Sequence, residues 1–500
     1  MKFKTLVFEI EHGRNEVVLT EEQAEKIGVK ILDRVKITRG NKTVNAIVDV
    51  CASCVGRDQI GVFSEVAKQL GLKDNTVIEV NANGRPASLD YIRKKLDGGT
   101  LEAKETKAII EDLMSENLSK VELAIFIAAV YTRGMNTDET VGLTNAIYSS
   151  GGRLKFPGKT VVSQHGIGGV AGDRTSMLLV PIIASLGITI PKSASRAISS
   201  SAGTADVMET LCKVDFPLEK VMKIVKKTNG CLIWGGNVGL AAADDKLIQI
   251  RNPLHLDPKA LLLSSILAKK KAEGAEMALI DLPIGRGTKM KNKEEAIALA
   301  NEFRALGAKL GMRIECTITD GSEPMMPFIG PQLEAQAVMK MLKGEMQGEL
   351  LEKSLVISSY LYAMAKDCSR EEAYKICKQA LVSGKAYKKM LEIIEAQEGN
   401  PKININNIVK AKYNKTLYAK TEGKISHIDN HDLSLVARTL GSPKIMEAGI
   451  ELHKMKGDRV KKGDALLTLY SKEKIYIEEA EKVFSKLNVI EIGNIVMQVV

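Results

Sequence analysis

The alternation of strand-like and helix-like segments between residues 158 and 410 constrains the fold of this sequence more than any other feature. Short apolar runs alternate there with stretches of helical periodicity. The strand-like runs are TVVSQ (160–164), ITI (188–190), CLIWGG (231–236), MALIDLP (277–283) and RIECTITD (313–320), and the helical stretches cover 217–228, 257–272, 293–310, 332–343 and 370–380. Alternation of this kind indicates a sheet covered by helices. The sequence therefore predicts an α/β domain over residues 161–410.

The segments on either side of this region have different patterns. Residues 1–80 contain short β-type runs separated by turns, and the Asn-Gly and Pro of NANGRPAS (81–88) mark a boundary. The pattern from Ala103 to Ser150 is helical. Short strands return after about residue 410, where KGDRV (456–460) and KGDAL (462–466) indicate a hairpin-rich C-terminal module. We therefore predict three further domains, which are a β-rich N-terminal domain (1–84), a helical domain (85–160) and an α+β C-terminal domain (411–500).

The composition excludes several classes of protein. The 500 residues are 45% hydrophobic and 26% charged, as in a globular protein. The most apolar stretch, Met177 to Pro191, is interrupted by polar residues and by Pro181, so it does not predict a membrane span. The first residues break their apolar run with Glu9 and Glu11, so no secretory signal is predicted and we expect a cytoplasmic protein.

The cysteines and the net charge narrow the choice of ligand. The cysteine count of seven is odd and does not suggest a disulfide framework, and only Cys51 and Cys54 have CxxC spacing. No second pair or nearby histidine completes a zinc site, so we expect two half-buried thiols and no bound metal, with pairing left open. The net charge of +10 favours an anionic ligand, while 4% aromatic residues provide no platform for stacking nucleic-acid bases.

A glycine-rich loop, HGIGGVAGD (165–173), follows a predicted strand and precedes a helix. Glycines let the backbone approach a ligand, and a helix N-terminus offers unpaired N–H groups to an anion. The spacing from Gly166 to Ala171 loosely fits a dinucleotide fingerprint, but that fingerprint needs an acid about twenty residues further on to bind a ribose, and none lies between Asp173 and Asp206. A Walker A loop is excluded at this position because the segment 165–173 contains no Gly-Lys-Ser/Thr. Taken alone, the loop is equally consistent with tight packing of a strand against a helix.

A second loop, SRAISSSAGTAD (195–206), concentrates serines around one arginine. The interval between Asp173 and Asp206 contains no carboxylate, and its only charges are Arg174, Lys192 and Arg196. Loops that offer hydroxyls and backbone amides and carry no carboxylates are typical of phosphate sites. Arg196 is the natural bidentate partner of a phosphate. The alternative is a pair of ordinary turns.

Several segments of the sequence, including both loops, resemble the thymidine/pyrimidine-nucleoside phosphorylase family. The resemblance lies in residues 161–211 with GTAD (203–206), in IWGG (233–236), in SSILAKKKAEG (264–274) and in YAKTEGKISHID (418–429). Members of that family bind inorganic phosphate and cleave an N-glycosidic bond to yield a sugar 1-phosphate. The resemblance implies a helical domain, completed by a later segment near 240–275, beside a large α/β domain. It also implies a homodimer or larger homo-oligomer and no cofactor, since phosphate is a substrate.

The departures from that family point to one of its branches. Members that act on pyrimidine nucleosides carry Lys-His-Ser-Thr-Gly-Gly where this chain has QHGIGG (164–169), and an arginine where it has Ile250. They also lack the β-rich module at 1–80. This combination resembles the branch that converts AMP and phosphate to adenine and ribose 1,5-bisphosphate, with CMP and UMP as further candidate substrates.

The resemblance also implies which residues form the site. Asp257 corresponds to the proton donor to the departing base. The residues that correspond to substrate-binding positions are Gly168, Gly169, Ser195, Arg196, Ala197, Ile198, Ser199, Ser200, Thr204, Ser265 and Lys289. Ser176 matches a phosphate-binding hydroxyl, while the roles of His165 and Lys269 stay open.

The proposed role of Asp257 makes a demand on its surroundings. An unperturbed aspartate has a pKa of about 3.9 and is ionised at neutral pH. A working proton donor therefore needs burial or an anionic neighbourhood that raises this value. The alternative is a structural role as the cap of the helix that begins near Pro258.

Three other functions remain to be weighed. A thymidine/pyrimidine-nucleoside phosphorylase would give a ribose or deoxyribose 1-phosphate. An enzyme like anthranilate phosphoribosyltransferase would need Mg²⁺-binding carboxylates near the glycine loop, and the acid-free interval argues against it. A nucleotide-sensing or scaffold protein could keep the pocket without catalysis, which the presence of Asp257 argues against.

Overall fold

The computed structural model describes residues 1–197, 200–254 and 256–493. These residues form two compact units. The first unit consists of Met1–Gly151 and Ala241–Ala268, and the second of Gly152–Leu240 and Lys269–Val500. Among the described residues no helix combines the length and the apolar character needed to cross a membrane.

The first unit begins with a closed six-stranded barrel in the order β1-β5-β2-β4-β3-β6. Its elements are β1 (Lys2–Phe8), β2 (Glu16–Leu19), α1 (Glu21–Ile27), β3 (Arg34–Arg39), β4 (Lys42–Val50), β5 (Gln59–Phe63), α2 (Ser64–Leu70) and β6 (Val77–Asn83). Alternating side chains such as Val35 and Ile37 point inward and are fully buried. Closure leaves no free strand edge, which is how so small a set of strands avoids pairing with other chains.

The turn after β4 contains a disulfide between Cys51 and Cys54, whose Cα atoms are 5.7 Å apart. The two cysteines, whose pairing the sequence left open, are therefore paired in the structure. CxxC spacing on a turn brings two Cβ atoms within bridging distance, and the spacing alone does not fix the redox state.

The rest of the first unit is a helical bundle. Its elements are α3 (Ser88–Leu96), α4 (Ala103–Met114), α5 (Lys120–Arg133), α6 (Thr137–Ser149), α11 (Ala242–Arg251), a short 3-10 helix (Asn252–Leu254) and the part of α12 (Lys259–Ala272) up to Ala268. A capping box begins α5, because the Ser119 side chain accepts from the Glu122 amide and the Glu122 side chain accepts from the Ser119 amide. Apolar residues of α5 and α11, including Phe126 and Leu247, pack in one core.

The second unit contains a parallel sheet covered by helices, as the alternation predicts. The strands are β7 (Val162–Gly166), β8 (Ile190–Ala194), β9 (Gly230–Trp234), β10 (Met277–Ile284) and β11 (Arg313–Asp320). β7 and β11 flank β10, β8 pairs with β9, and a parallel bridge from Val161 to Thr189 links the two groups. The carboxyl ends of these strands therefore meet at one edge, where α/β proteins bind ligands.

Helices surround this sheet. They are α7 (Thr175–Ser185), α8 (Thr204–Glu209), α9 (Leu218–Thr228), α10 (Gly235–Val238), α13 (Lys293–Lys309), α14 (Pro331–Lys343), α15 (Glu349–Lys366), α16 (Arg370–Val382) and α17 (Lys385–Ala396). A further 3-10 turn covers Ile405–Asn407. The apolar stretch that begins at Met177 is α7, which is buried on all sides. Its hydrophobicity belongs to the core of the sheet domain.

The C-terminal part of the second unit combines two small sheets with two helices. Its elements are β12 (Phe328–Ile329), β13 (Tyr413–Tyr418), β14 (Gly423–Ile428), α18 (Asn430–Thr439), β15 (Gly449–Leu452), β16 (Arg459–Val460), β17 (Ala465–Ser471), α19 (Lys474–Lys486) and β18 (Ile490–Gly493). The sheets have the orders β12-β15-β17-β13 and β16-β14-β18. The segments KGDRV and KGDAL lead into β16 and β17, which lie in different sheets. The side chains of Asp458 and Asp464 each accept a hydrogen bond from the backbone amide three residues earlier. This local bond stabilises each Gly-Asp turn.

Candidate functional site

The glycine loop connects β7 to α7 at the carboxyl edge of the sheet. Gly168 and Gly169 have φ values of 88° and 95°, which other residues rarely adopt, and both lie at the surface. A Cβ atom on Gly169 would lie 3.3 Å from the Cα atom of Thr288 and 3.6 Å from the Lys289 nitrogen. The structure thus places Gly169 against the backbone at Lys289, and Gly168 precedes it in the exposed part of the loop.

A buried ion triad fixes the ends of this loop. The ammonium group of Lys353, on α15, lies 2.9 Å from Asp173 and 2.8 Å from Asp281. Burial lowers the pKa of Lys353, but the two carboxylates outweigh burial and raise it overall. The Asp281 carbonyl accepts from the Ile167 amide, so the triad holds the first and last parts of the loop.

The triad was not predicted, and neither was a second support of the loop from Asn430 at the start of α18. The Asn430 side chain accepts from the Ala171 amide at 2.9 Å and donates to the Gly321 carbonyl at 3.0 Å. Both Lys353 and Asn430 are far from the loop in sequence. No local pattern identifies such contacts.

His165 lies in a strongly positive environment. Burial lowers its pKa well below the ordinary value, and four lysines lower it further, in the order Lys192, Lys270, Lys269 and Lys289. The imidazole is therefore neutral at pH 7, and the positive potential around it comes from the lysines. A potential of this sign beside exposed amides suits an anion such as phosphate.

The serine loop follows β8 and is folded back by a carboxylate. The Asp206 carboxylate accepts from the amides of Ala197 and Gly203, each at 2.8 Å. A Cβ atom on Gly203 would lie 2.4 Å from the Ser195 carbonyl oxygen, so the two ends of the loop are in contact. The expectation that this loop is free of carboxylates is wrong, because the acid that ends the interval in sequence turns back into it as part of α8.

Arg196 of the serine loop forms ion pairs with two acidic residues of α8. Its guanidinium binds Glu209 at 2.5 and 2.8 Å and Asp206 at 3.1 Å, and it lies 4.9 Å above the ring of Trp234. The expected bidentate contact with a phosphate is therefore taken by a carboxylate in this structure. Asp206 and Glu209 are three residues apart on one helical face, which is why both reach the same side chain.

Two further hydroxyls of this loop, those of Thr204 and Ser200, have intramolecular partners, whereas the buried hydroxyl of Ser201 has none in the described part of the chain. Arg174 donates to the Ala202 carbonyl at 2.8 Å and to the Thr204 hydroxyl at 3.4 Å, and it forms a buried pair with Glu334. Ser200 donates to the same Ala202 carbonyl at 3.1 Å. Ser195 is exposed at the mouth of the loop. The predicted residues Ile198 and Ser199 lie outside the described residues.

Ser176, at the start of α7, is also engaged. Its hydroxyl donates to the Gln164 side chain at 2.7 Å, and both residues are buried. The match of this hydroxyl to a phosphate-binding position stays untested.

Asp257 and Ser265 belong to the first unit. The Asp257 carboxylate accepts from Arg251 at 2.8 Å, and 39% of its side chain is exposed. This partner is a cation, whereas a proton donor needs burial or an anionic neighbour to raise its pKa. Ser265 is buried on α12, and its hydroxyl donates to Asp244 at 2.7 Å. The roles of both residues stay predictions.

Three family models match consecutive parts of the chain. Residues 89–151 match the glycosyl transferase family helical bundle domain, and residues 158–387 match the glycosyl transferase family a/b domain. Residues 424–491 match the pyrimidine nucleoside phosphorylase C-terminal domain. The predicted multi-domain α/β fold class is confirmed.

Full-length relatives decide the family. A Thermofilum pendens protein named AMP phosphorylase is 40% identical to this chain over 493 residues, which are 99% of this chain and 95% of that protein. The protein of the same name from Methanosarcina mazei is 39% identical over 100% of this chain and 98% of its own length. The one from Pyrococcus furiosus is 36% identical over 100% of this chain and 99% of its own length. This chain belongs to the AMP phosphorylase family.

Membership in the AMP phosphorylase family confirms the resemblance found in the sequence, and it covers the N-terminal barrel that the three family models leave out. Among solved structures, anthranilate phosphoribosyltransferase from Thermus thermophilus matches with a TM-score of 0.53 at 20% identity, over 62% of this chain and 100% of that one. At this identity the match shows a common fold and nothing about substrates.

Proposed function

We propose that this chain catalyses the phosphorolysis of nucleoside 5′-monophosphates, with AMP and inorganic phosphate giving adenine and ribose 1,5-bisphosphate. The observation that carries this proposal is the full-length similarity to proteins named AMP phosphorylase. The glycine loop at the carboxyl edge of the sheet supports it. The exposed residue Gly169 lies beside the backbone of Lys289, and the lysines around the neighbouring His165 make the potential positive.

In this reaction an oxygen of phosphate attacks C1′ of the ribose as the bond from C1′ to the base breaks. The bonding electrons leave with the base, and a proton delivered to a ring nitrogen makes the base a better leaving group. We assign that proton to Asp257. The backbone amides of the glycine loop and Lys289 hold negatively charged oxygen of the substrates.

The first test is a comparison of substrates. AMP should be cleaved with a kcat/KM about 10–100-fold above that of adenosine, because a charge-assisted hydrogen bond to a 5′-phosphate contributes about 1.5–3 kcal/mol. Thymidine should be poorer still, since Ile250 stands where pyrimidine-specific members have an arginine. Release of base is measured with and without phosphate, across AMP, CMP, UMP and their nucleosides.

Equal kcat/KM values for AMP and adenosine would contradict the 5′-phosphate specificity. Faster cleavage of thymidine or uridine than of any nucleotide would favour the pyrimidine-nucleoside phosphorylase alternative. Binding of AMP without release of base would favour a sensing role.

Removal of metal ions separates phosphorolysis from chemistry of the phosphoribosyltransferase type. We propose that the reaction needs no metal or other cofactor. Dialysis against EDTA should therefore leave kcat within about twofold, because the charge of phosphate is balanced by protein cations and amides. Full recovery of a lost activity by Mg²⁺ would instead indicate a metal-dependent mechanism.

The cellular location and the assembly also stay proposals. We propose a cytoplasmic homodimer or larger homo-oligomer, as the family resemblance implies. Sedimentation analysis of the purified chain measures the number of subunits, and fractionation of cells measures the location.

A further inference from the structure

Two histidines and two aspartates lie within the six residues from His427 to Asp432, where β14 ends and α18 begins. Carboxylate oxygens of Asp429 and Asp432 and a ring nitrogen of His431 all lie within 4.8 Å of one another. Acidic residues are common at the N-terminus of a helix, where they interact favourably with the helix dipole. These three residues alone therefore do not define a binding site.

His427 adds a buried nitrogen without a partner to this group. The residue is 8% exposed, and its Nε2 atom is buried and has no hydrogen-bond partner among the described residues. That atom lies 3.7 Å from the Oδ2 atom of Asp429, which is too far for a hydrogen bond. A buried polar atom without a partner costs free energy, and a ligand bound beside it would remove that cost.

Glu323 fixes the orientation and the tautomer of the His427 ring. Its carboxylate accepts from the Nδ1 atom of His427 at 2.8 Å and from the Ile428 amide at 2.9 Å, and it pairs with Lys456 at 3.0 Å. A carboxylate accepts the hydrogen bond, so Nδ1 carries the ring proton and Nε2 of the neutral imidazole presents a lone pair towards Asp429. Metal-binding histidines almost always donate their other ring N–H to a carboxylate, a carbonyl or water. The His427 ring is therefore oriented as a metal ligand.

The Oδ2 atom of Asp429 is available to the same ligand. The Oδ1 atom caps α18 by accepting from the amides of His431 and Asp432, each at 2.9 Å. Arg286 lies 3.6 Å from Oδ2, but its guanidinium binds Glu491 at 2.7 Å. Within the described part of the chain no lysine or arginine lies closer than this to either aspartate. The two carboxylates therefore offer negative charge to a further cation.

We propose that His427, Asp429, His431 and Asp432 bind a divalent transition-metal ion, for which Zn²⁺ is the best match. Two imidazole nitrogens and two carboxylate oxygens form a donor set that zinc accepts in four-coordinate sites. Mg²⁺ and Ca²⁺ prefer oxygen ligands alone. The His431 ring is 77% exposed, so it can turn towards the ion without disturbing the core. The proposal goes beyond the phosphorolytic function, because none of these four residues has a role assigned in that reaction.

The ion would stabilise the support of the glycine loop. Asn430 lies between Asp429 and His431 in the chain, and its side chain binds the Ala171 amide and the Gly321 carbonyl. An ion held by the residues on both sides of Asn430 would fix the turn from which this side chain extends. Because the ion binds the folded chain, it should raise the Tm as its concentration rises.

The experiment measures Zn²⁺ binding by calorimetry to the full chain, prepared without an affinity tag and freed of metal. The wild type should bind one ion per chain. His431→Ala and His427→Gln should each weaken binding by at least about tenfold. Glu422→Gln, which removes an exposed carboxylate just before β14, should leave the affinity unchanged. Mg²⁺ should bind the wild type at least about tenfold more weakly than Zn²⁺ does.

Two further measurements locate the ion. The double variant Cys51→Ser/Cys54→Ser should keep the wild-type affinity, and a loss of binding in it would assign the zinc to the CxxC pair and overturn the proposal. Zn²⁺ should raise the Tm of the wild type but not that of His431→Ala, whose exposed side chain can be removed without loss of packing. Wild-type affinity in either histidine variant, or tighter binding of Mg²⁺ than of Zn²⁺, would also overturn it. Turnover enters none of these measurements, so a failure of the proposed reaction is seen separately.

Discussion

Asp257→Asn should lower the kcat for AMP by about 10²–10⁴-fold, the usual contribution of a general acid, while the dissociation constant of AMP changes little. Asparagine keeps the size and the hydrogen-bonding capacity of the side chain but has no proton to deliver to the leaving base. The measurement is steady-state phosphorolysis together with AMP binding by calorimetry. A substrate whose leaving group departs without a proton should lose much less rate than AMP, because only the protonation step is removed.

The control for this prediction is Asp90→Asn. Asp90 is an exposed aspartate of the same unit, paired with Arg85 at the surface, so its replacement should leave kcat unchanged. Near-normal turnover of Asp257→Asn would remove the proton-donor role. An equal loss with AMP and with the activated substrate would point to a structural role for the pair with Arg251.

Lys353→Met should destabilise the protein by about 3–5 kcal/mol, because it leaves the carboxylates of Asp173 and Asp281 buried without their cation. Breaking such a pair costs more than the pair contributes, since an uncompensated charge stays in a poorly solvated site. The glycine loop should lose its fixed shape at the same time, so the KM for phosphate should rise. Denaturant unfolding and the phosphorolysis assay measure the two effects.

The pH dependence of the stability of Lys353→Met distinguishes an uncompensated buried charge from a simple loss of packing. The pKa of Asp281 is already raised by burial, and removal of Lys353 raises it further. A carboxyl group whose pKa is higher in the folded state binds protons more tightly there, so stability is regained as the pH falls towards that pKa. The deficit of Lys353→Met should therefore shrink between pH 8 and pH 5. Lys366→Met, at the exposed end of α15, should show no deficit at either pH, and a deficit independent of pH would contradict the explanation.

Local patterns in the sequence predicted the frame of the sheet domain but not all of its helices. β10 and β11 were found because apolar runs of strand length are signals that short windows contain. Neither α15 nor α17 was predicted. α15 buries Ser354 and Ser358 among its apolar residues, where each hydroxyl donates to the carbonyl one turn earlier, so serines interrupt the apolar pattern of its buried face.

The site was predictable to the extent that single loops define it. The glycine loop was found because its residues are adjacent and its conformation requires glycine. The partners of Arg196 were missed because Asp206 and Glu209 follow the acid-free interval in sequence, and only the fold of α8 brings them back to it. Lys353 reaches Asp173 from 180 residues away, and a contact of that kind is set by tertiary packing alone.

The strand β12 ties the C-terminal domain to the sheet domain before it. β12 comes directly before α14, yet it forms the edge of the sheet that contains β15, and a Cβ atom on Gly330 would lie 2.3 Å from the Ala448 carbonyl oxygen. A chimaera of two homologues joined near residue 410 would therefore combine an edge strand from one parent with partners from the other. Exchange of this domain should include residues 328–334, so that both sides of the junction come from one parent.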